Sequence, residues 1–412
     1  VRYFESELVK PISRPEKRNL QLLFLLFGLG IMAIAPRNPE IKHNLGVTIG
    51  NFGTLLSLGG IGSLISLMFG GHIVHRFGPR PILVISSSAM YGALSIVPHL
   101  HHAWIFLFLN IFIGSSFSLY HIASNGQALK RQTETNTVLI PKLHGLWSTG
   151  ALGSAILAFA ITSHISLAWH IDVMMIVIWS STQIVIWNLR DHFFEGTSSD
   201  DSESSISFQS LIAAFKFERV ITFGLLFALM IEFATTDWAT IFTREQIGMS
   251  AAVSILPYLI FMLSMILVRF SIHRLLEIRS EQYWLRIGPL VGGSGFVIFI
   301  IIGTWISHNH KWLGFSVVLL SFSFAGLGCS HLAPTFFGIA GRSSSLPGSV
   351  VIAQLGLVNT ILVFLIKIML SWVAQATSVM VALLIPGIML ILVSTVARLG
   401  RSEVLTRALP VR

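Results

Sequence analysis

An acidic side chain inside an apolar run is the first feature of this 412-residue sequence that chemistry has to explain. Glu232 is followed by Thr235, Thr236, Thr240 and Thr243, spaced so that a helix would carry the hydroxyls on the carboxylate's side. At the centre of a membrane an ionised carboxylate costs roughly 2.5–3.5 kcal/mol on insertion scales. Two kinds of chemistry justify that cost: reversible protonation, or a hydrogen bond from a protonated acid to a neighbouring helix. Asp237 lies about 140° round the same helix, so it needs another partner. Lys367, the one cation expected inside a span, is the candidate, because pairing would relieve two buried charges at once. The alternative is that Lys367 snorkels to the interface. Asn110, Gly114, Ser118, His121 and Asn125 share one helical face, which reads either as a cavity wall or as hydrogen bonding between helices. Asn125, His121, Thr236 and Gln354 are candidates to hydrogen-bond a bound solute, and Trp238 is a candidate to stack on it.

The elements that must position these residues are membrane spans. Hydrophobic residues make up 53% and charged residues 11% of the chain, against roughly 25% charge in a soluble domain. Mean hydropathy is +0.77. Apolar runs of about 20 residues can each cross the hydrocarbon as a helix. They lie between Arg18 and Arg37, Lys42 and Arg76, Arg80 and Lys130 (two spans), Lys142 and Asp172, and Asp172 and Arg190. Six more are expected near 219–243, 248–268, 286–306, 312–339, 348–374 and 376–397. The fold class is therefore all-α membrane protein with twelve spans in two six-helix bundles. A β-barrel is disfavoured because the runs are continuous rather than alternating. Residues 1–190 form the first bundle with its N-terminal tail, 191–218 a flexible acidic and serine-rich linker, and 219–412 the second bundle with a basic tail. The first apolar run is read as a retained span rather than a signal peptide.

Arg14, Arg76, Arg80, Lys130, Arg131, Lys142, Arg190, Arg269, Arg274, Arg279 and Arg286 all fall in loops on one side by this count, and Arg37, Lys42, Arg244 and Lys311 on the other. That asymmetry predicts cytoplasmic termini. The net charge of +9 then belongs to loops near anionic lipid. No loop concentrates enough basic residues for nucleic acid, so no such partner is expected. A single cysteine, Cys329, excludes an intrachain disulfide. His99, His101, His102, His308 and His310 are read as solvated loop residues, and no metal or cofactor is expected. There is no phosphate-binding glycine loop for ATP and no nucleophile with an orienting base, so an enzyme is not expected.

The stretch Gly71-His72-Ile73-Val74-His75-Arg76-Phe77-Gly78-Pro79-Arg80 resembles the loop signature of the major facilitator superfamily, Gly-x-x-x-Asp-Arg-x-Gly-x-(Arg/Lys), with His75 where that family has Asp. The pair His273-Arg274 recurs at the matching loop of the second half, as an internal duplication would give. Gly71, His75, Arg76, Gly78, Arg80, His273 and Arg274 are the gating-loop candidates. Glu232 with Asp237-Trp238, Asn125 and Gln127, His144 and Ser148, and Pro334 with Ala340-Gly341-Arg342 are similar to a bacterial inner-membrane branch near the fucose-permease group. The resemblance implies a monomeric secondary transporter of a small solute in the inner membrane, working by alternating access, with protons as the second partner and Glu232 as the proton site. A sensor or scaffold that binds without transporting is the alternative.

Overall fold

The computed structural model describes residues 12–135, 137, 139–196, 219–343 and 348–399. Among them twelve helices are long and apolar enough to cross a membrane. They are α1 (Arg14–Leu45), α2 (Ile49–Phe77), α3 (Pro79–His99), α4 (Ala103–Thr135), α5 (Ile140–Ile161) and α6 (Leu167–Asn188), then α7 (Val220–Gln246), α8 (Val253–Ile278), α9 (Glu281–Ser307), α10 (Lys311–Ala340), α11 (Leu355–Ala376) and α12 (Val379–Val396). Several starts are set by hydroxyl caps. Ser13, Thr48, Ser166 and Ser280 accept from the amides of Glu16, Asn51, Trp169 and Tyr283, satisfying donors that a helix start leaves free. α1 breaks after Ile31 and continues through a 3₁₀ turn, Ala35–Arg37, into a short helix, Asn38–Leu45. Pro36 and Pro39 sit in the first turns of those two pieces.

The packing repeats. In the first half α1 packs on α5 and α6, α2 on α4, and α3 on α4 and α6; in the second, α7 packs on α11 and α12, α8 on α10, and α9 on α10 and α12. Adding six to each index of the first set gives the second. The same operation relates the two seams between halves, α2 with α11 and α8 with α5, as a parallel repeat requires. Below, the end where α1 starts and α12 finishes is the basic end, and the opposite one is the distal end.

Small residues set the closest approaches. A Cβ added at Gly62 would fall onto the Ile111 carbonyl, and one at Gly114 onto that of Gly59, so α2 and α4 touch backbone to backbone. α1 and α5 meet the same way at Gly28 and Gly150. By spacing alone, the small residues Gly145, Thr149 and Gly153, four apart, would form the tight contact of α5. Gly145 has open space around it, Thr149 is exposed, and Gly153 makes an ordinary contact with Leu29. The packed face of α5 carries Leu143, Gly150, Ala151, Ser154 and Ala158, so the small stripe read from the sequence lies on a different side of the helix.

The largest correction concerns α8. The expected span ended at 268 and left Arg269, His273 and Arg274 in a loop. The helix continues to Ile278, so Arg269 lies inside it and His273-Arg274 is helical. His75-Arg76 likewise ends α2 rather than lying in a loop. Of the expected linker 191–218, residues 197–218 lie outside the described residues. Gly196 packs directly on the Arg76 carbonyl, so the chain leaving α6 is folded back onto the α2–α3 turn. That turn needs Gly78 at φ +77, a left-handed conformation that glycine adopts without a Cβ penalty.

Candidate functional site

A polar path crosses the bundle interior from α4 to α7. Asn125 Oδ1 is 3.0 Å from His144 Nε2. One turn along α5, Ser148 Oγ donates to the His144 carbonyl at 3.2 Å and accepts from Arg269 Nη1 at 3.3 Å. Arg269 Nη2 faces Glu232 Oε2 at 3.7 Å. The path therefore joins two helices of the first half to two of the second, and the crossing lies between Ser148 and Arg269. Arg269 Nε also donates to the Ser330 carbonyl of α10 at 3.0 Å. Glu232 and Arg269 are 27% and 30% exposed, so each keeps an open side. Tyr258 and Cys329 lie within electrostatic reach of Glu232, and His144 within reach of Arg269.

The polar stripe of α4 divides into two parts. Asn110 donates to the Leu55 and Leu56 carbonyls at 2.8 and 3.0 Å, and Gly114 meets Gly59, so this part joins α4 to α2. Farther along, His121 stacks on Phe117 and stands 6.0 Å from the His144 ring, edge to face. Asn125 holds His144. Along both lengths the stripe meets a neighbouring helix, α2 first and α5 farther on.

The remaining sequence candidates are dispersed. Asp237 and Lys367 are 2.8 Å apart and mostly buried, and the ammonium also stands 5.7 Å from the Phe233 ring centroid. Thr236 Oγ1 donates to the Glu232 carbonyl at 2.9 Å. The hydroxyls of Thr235 and Thr240 are buried without a partner among the described residues. Trp238 is 2% exposed and packs beside Gly53 and Ser371, so no face is free to stack on a solute in this conformation. The side chain of Gln354 lies outside the described residues. Gly71 is open, Arg76 lies over Phe77 at 5.4 Å, Arg80 over Trp187 at 5.6 Å, and His273 and Arg274 are exposed.

Contacts between the halves also gather at the distal end. Lys42 Nζ is 2.6 Å from Glu245 Oε2. Asn38 Nδ2 donates to the Asp237 carbonyl at 3.3 Å, and the Gly50 amide to Gln375 Oε1 at 3.1 Å. At the basic end each half is tied together by its own contacts: in the second half Trp284 Nε1 donates to the Leu275 carbonyl at 2.8 Å. In the first half Glu16, 2% exposed, receives Arg131 at 2.5 and 2.9 Å, and Gln127 Nε2 donates to the His192 carbonyl at 2.7 Å. Sequence counting treated Arg37 as an outer-loop charge. It is fully buried, held by the Glu40 carboxylate, by His170 Nδ1 at 3.1 Å and by the Ile165 carbonyl at 3.4 Å.

The residue that sequence reasoning missed is Arg269. Its signal was present: Phe270, Leu275, Leu276 and Ile278 continue the apolar pattern for two turns beyond it.

The architecture defines the class first: a polytopic α-helical membrane protein of two packed repeats around a polar interior. The sequence model of the Major Facilitator Superfamily matches residues 20–365, and the chain belongs to that family of membrane transporters. It is 22% identical over 387 residues to an uncharacterized MFS-type transporter of Yersinia pestis, covering 92% of this chain and 94% of that one. It is also 22% identical over 389 residues to an uncharacterized transporter of Sinorhizobium fredii, covering 91% and 95%. Among solved structures it is similar in fold to the nucleoside transporter NupG, with a TM-score of 0.71 at 12% identity over 94% of this chain and 100% of that one. The Escherichia coli fucose:proton symporter FucP gives a TM-score of 0.62 at 14% identity over 94% and 98%. A D-xylose-proton symporter gives 0.65 at 14% identity over 95% and 97%.

Proposed function

We propose that this transporter moves a small solute by alternating access, coupled to protons through Glu232. The carrying observation is the Glu232–Arg269 pair, an acid and a base set among interior helices, partly open, and touched from the other half by Ser148. A carboxyl group there can exchange a proton with water on one side and feel a solute on the other. Asn125, His121 and His144 supply the first half's polar groups, and Arg269, Glu232 and Ser330 the second half's. Symporters of fucose and xylose among the fold neighbours agree with a small solute and a proton. The asymmetry of basic residues supports cytoplasmic termini in a bacterial inner membrane, and one chain holds all the proposed groups, as a monomer would.

The test is solute-driven pH change in everted vesicles across a solute panel, comparing the natural chain with Glu232→Gln. Proton movement is expected with the natural chain and none with the variant, while binding persists. Accumulation driven by the pH gradient alone, with no membrane potential, that survives in Glu232→Gln removes Glu232 from coupling, and binding without movement in either protein favours a sensor.

The distal contacts give a second expectation. With cysteines at 42 and 245 joined by a short thiol-to-thiol linker, the distal end is held shut. Turnover should stop and return when the linker is cleaved. Unchanged transport in the linked protein means that this end does not open during the cycle.

A further inference from the structure

Arg269 is more than a counter-charge for Glu232. A guanidinium offers five N–H donors in a planar fork. One, on Nε, goes to the Ser330 carbonyl and one, on Nη1, to Ser148 Oγ, both neutral acceptors that fix the plane of the group. The Glu232 carboxylate is 3.7 Å from Nη2, beyond hydrogen-bond length. Three donors therefore have no hydrogen-bond acceptor among the described residues, on a side chain 30% exposed within the bundle. Two of the three are on Nη2 and the third is on Nη1. A fork held in plane with free donors on both terminal nitrogens suits a planar anion with two oxygens, which can take parallel hydrogen bonds from them.

Charge counting then fixes what must accompany such a ligand. Glu232 and Arg269 sum to zero. Among the described residues the other titratable groups near them are His144 from α5 with His121 of α4 behind it, Tyr258 of α8 and Cys329 of α10. Neutral imidazole, phenol and thiol add nothing. A bound monoanion would leave the site with one uncompensated negative charge beside Glu232, and two carboxylates sharing one guanidinium do not both stay ionised in an apolar interior. A proton from water on a Glu232 carboxylate oxygen restores neutrality, and the anion then holds the guanidinium alone.

We infer that the solute is a small organic monoanion whose carboxylate is bound by Arg269, displacing Glu232 and loading it with one proton, so that one anion and one proton cross together without net charge. This rests on the transport reading above and narrows it to a substrate class. Before binding the site holds Glu⁻ and Arg⁺; afterwards it holds neutral Glu, Arg⁺ and the anion. Both states are neutral.

The experiment uses the purified full chain in proteoliposomes, with D-glucuronate, D-gluconate and L-lactate as acids and D-glucose, L-fucose, D-xylose and uridine as neutral probes. Uptake is driven by an imposed pH gradient, with and without a potassium–valinomycin potential. At least one acid should accumulate with the proton gradient at a rate the potential does not change. Arg269→Gln should lower its uptake about 10- to 100-fold, the size expected for losing a charge-assisted pair, and Arg269→Lys should keep part of it. In Glu232→Gln the acid should move as a bare anion, so that the potential now drives it. If a neutral probe moves with protons, is accelerated by the potential, and no acid moves or competes, the substrate class is wrong and the transport reading stands. If no probe of either kind binds or moves, both fall. The potential test on the natural chain decides the matter even where an Arg269 variant fails to fold.

Discussion

Asp237→Ala alone should lower stability by about 3 kcal/mol, and Lys367→Ala alone by a similar amount, because each leaves one charge of a buried pair without its partner. The pair is close, 2.8 Å, with side chains 13% and 17% exposed, so solvent screens it only in part. Removing both charges removes the uncompensated one, and Asp237→Ala with Lys367→Ala together should recover most of the loss. Unfolding in detergent micelles, run as a double-mutant cycle, measures the coupling. Losses that simply add would mean that Lys367 is served by the Phe233 ring and by water rather than by Asp237. The pair joins α7 to α11, and the neighbouring Asp237 carbonyl accepts from Asn38 of the first half. Its loss should therefore also loosen the distal seam, visible as faster cross-linking between residues 42 and 245 at mismatched linker lengths.

Gly62→Val should be more severe, because nothing at that place can yield cheaply. The added Cβ alone falls on the Ile111 carbonyl, with the Ser115 amide 2.8 Å away. Backbone cannot change rotamer, so α2 and α4 must separate. Asn110 and Ser63 then lose hydrogen bonds to the facing carbonyls of Leu55, Leu56 and Gly114, in a solvent that offers no replacement. The variant should fail to accumulate in membranes. Gly92→Ala is the matched control, since nothing outside its own stretch of helix lies within 4 Å of its added methyl, and a helical Gly→Ala change gains up to about 1 kcal/mol. Comparable expression of the two would mean that the α2–α4 contact is looser than this geometry.

The sequence made the spans legible because apolar length is a direct physical requirement of the hydrocarbon. Glu232, Asp237 and Lys367 stood out for the same reason, as charges where charge is expensive. Arg269 did not. Counting charges assigns any arginine at the edge of an apolar run to a loop, and only the apolar residues beyond it argue for two further turns of helix. Arg37 was obscured differently: standing between two apolar runs it counts as a loop charge, while its partner His170 lies in another helix. The register of α5 was misread because small residues at a spacing of four occur on more than one face, and spacing alone does not say which face meets α1. The path from Asn125 to Glu232 could not be read at all, since it depends on which turns of four helices lie at equal depth.

α2 has bare backbone on two sides. Toward α4, Gly59 presses against Asn110 and Gly62 against the Ile111 carbonyl, which fixes the helix within its own half. Toward α11, a Cβ at Gly50 would stand 3.2 Å from Trp372, and one at Gly60 3.4 Å from Phe364, with Gly53 between them set against Ser371. At these three positions the first half has no side chain to catch on the second. If the halves turn against each other as proposed, those three positions would act as a smooth bearing rather than meshed gears: there it is backbone that would pass over aromatic and hydroxyl surfaces. A single methyl group at Gly53 would act as a grain of sand in that bearing, leaving α2 seated in its own half while roughening the surface on which it turns.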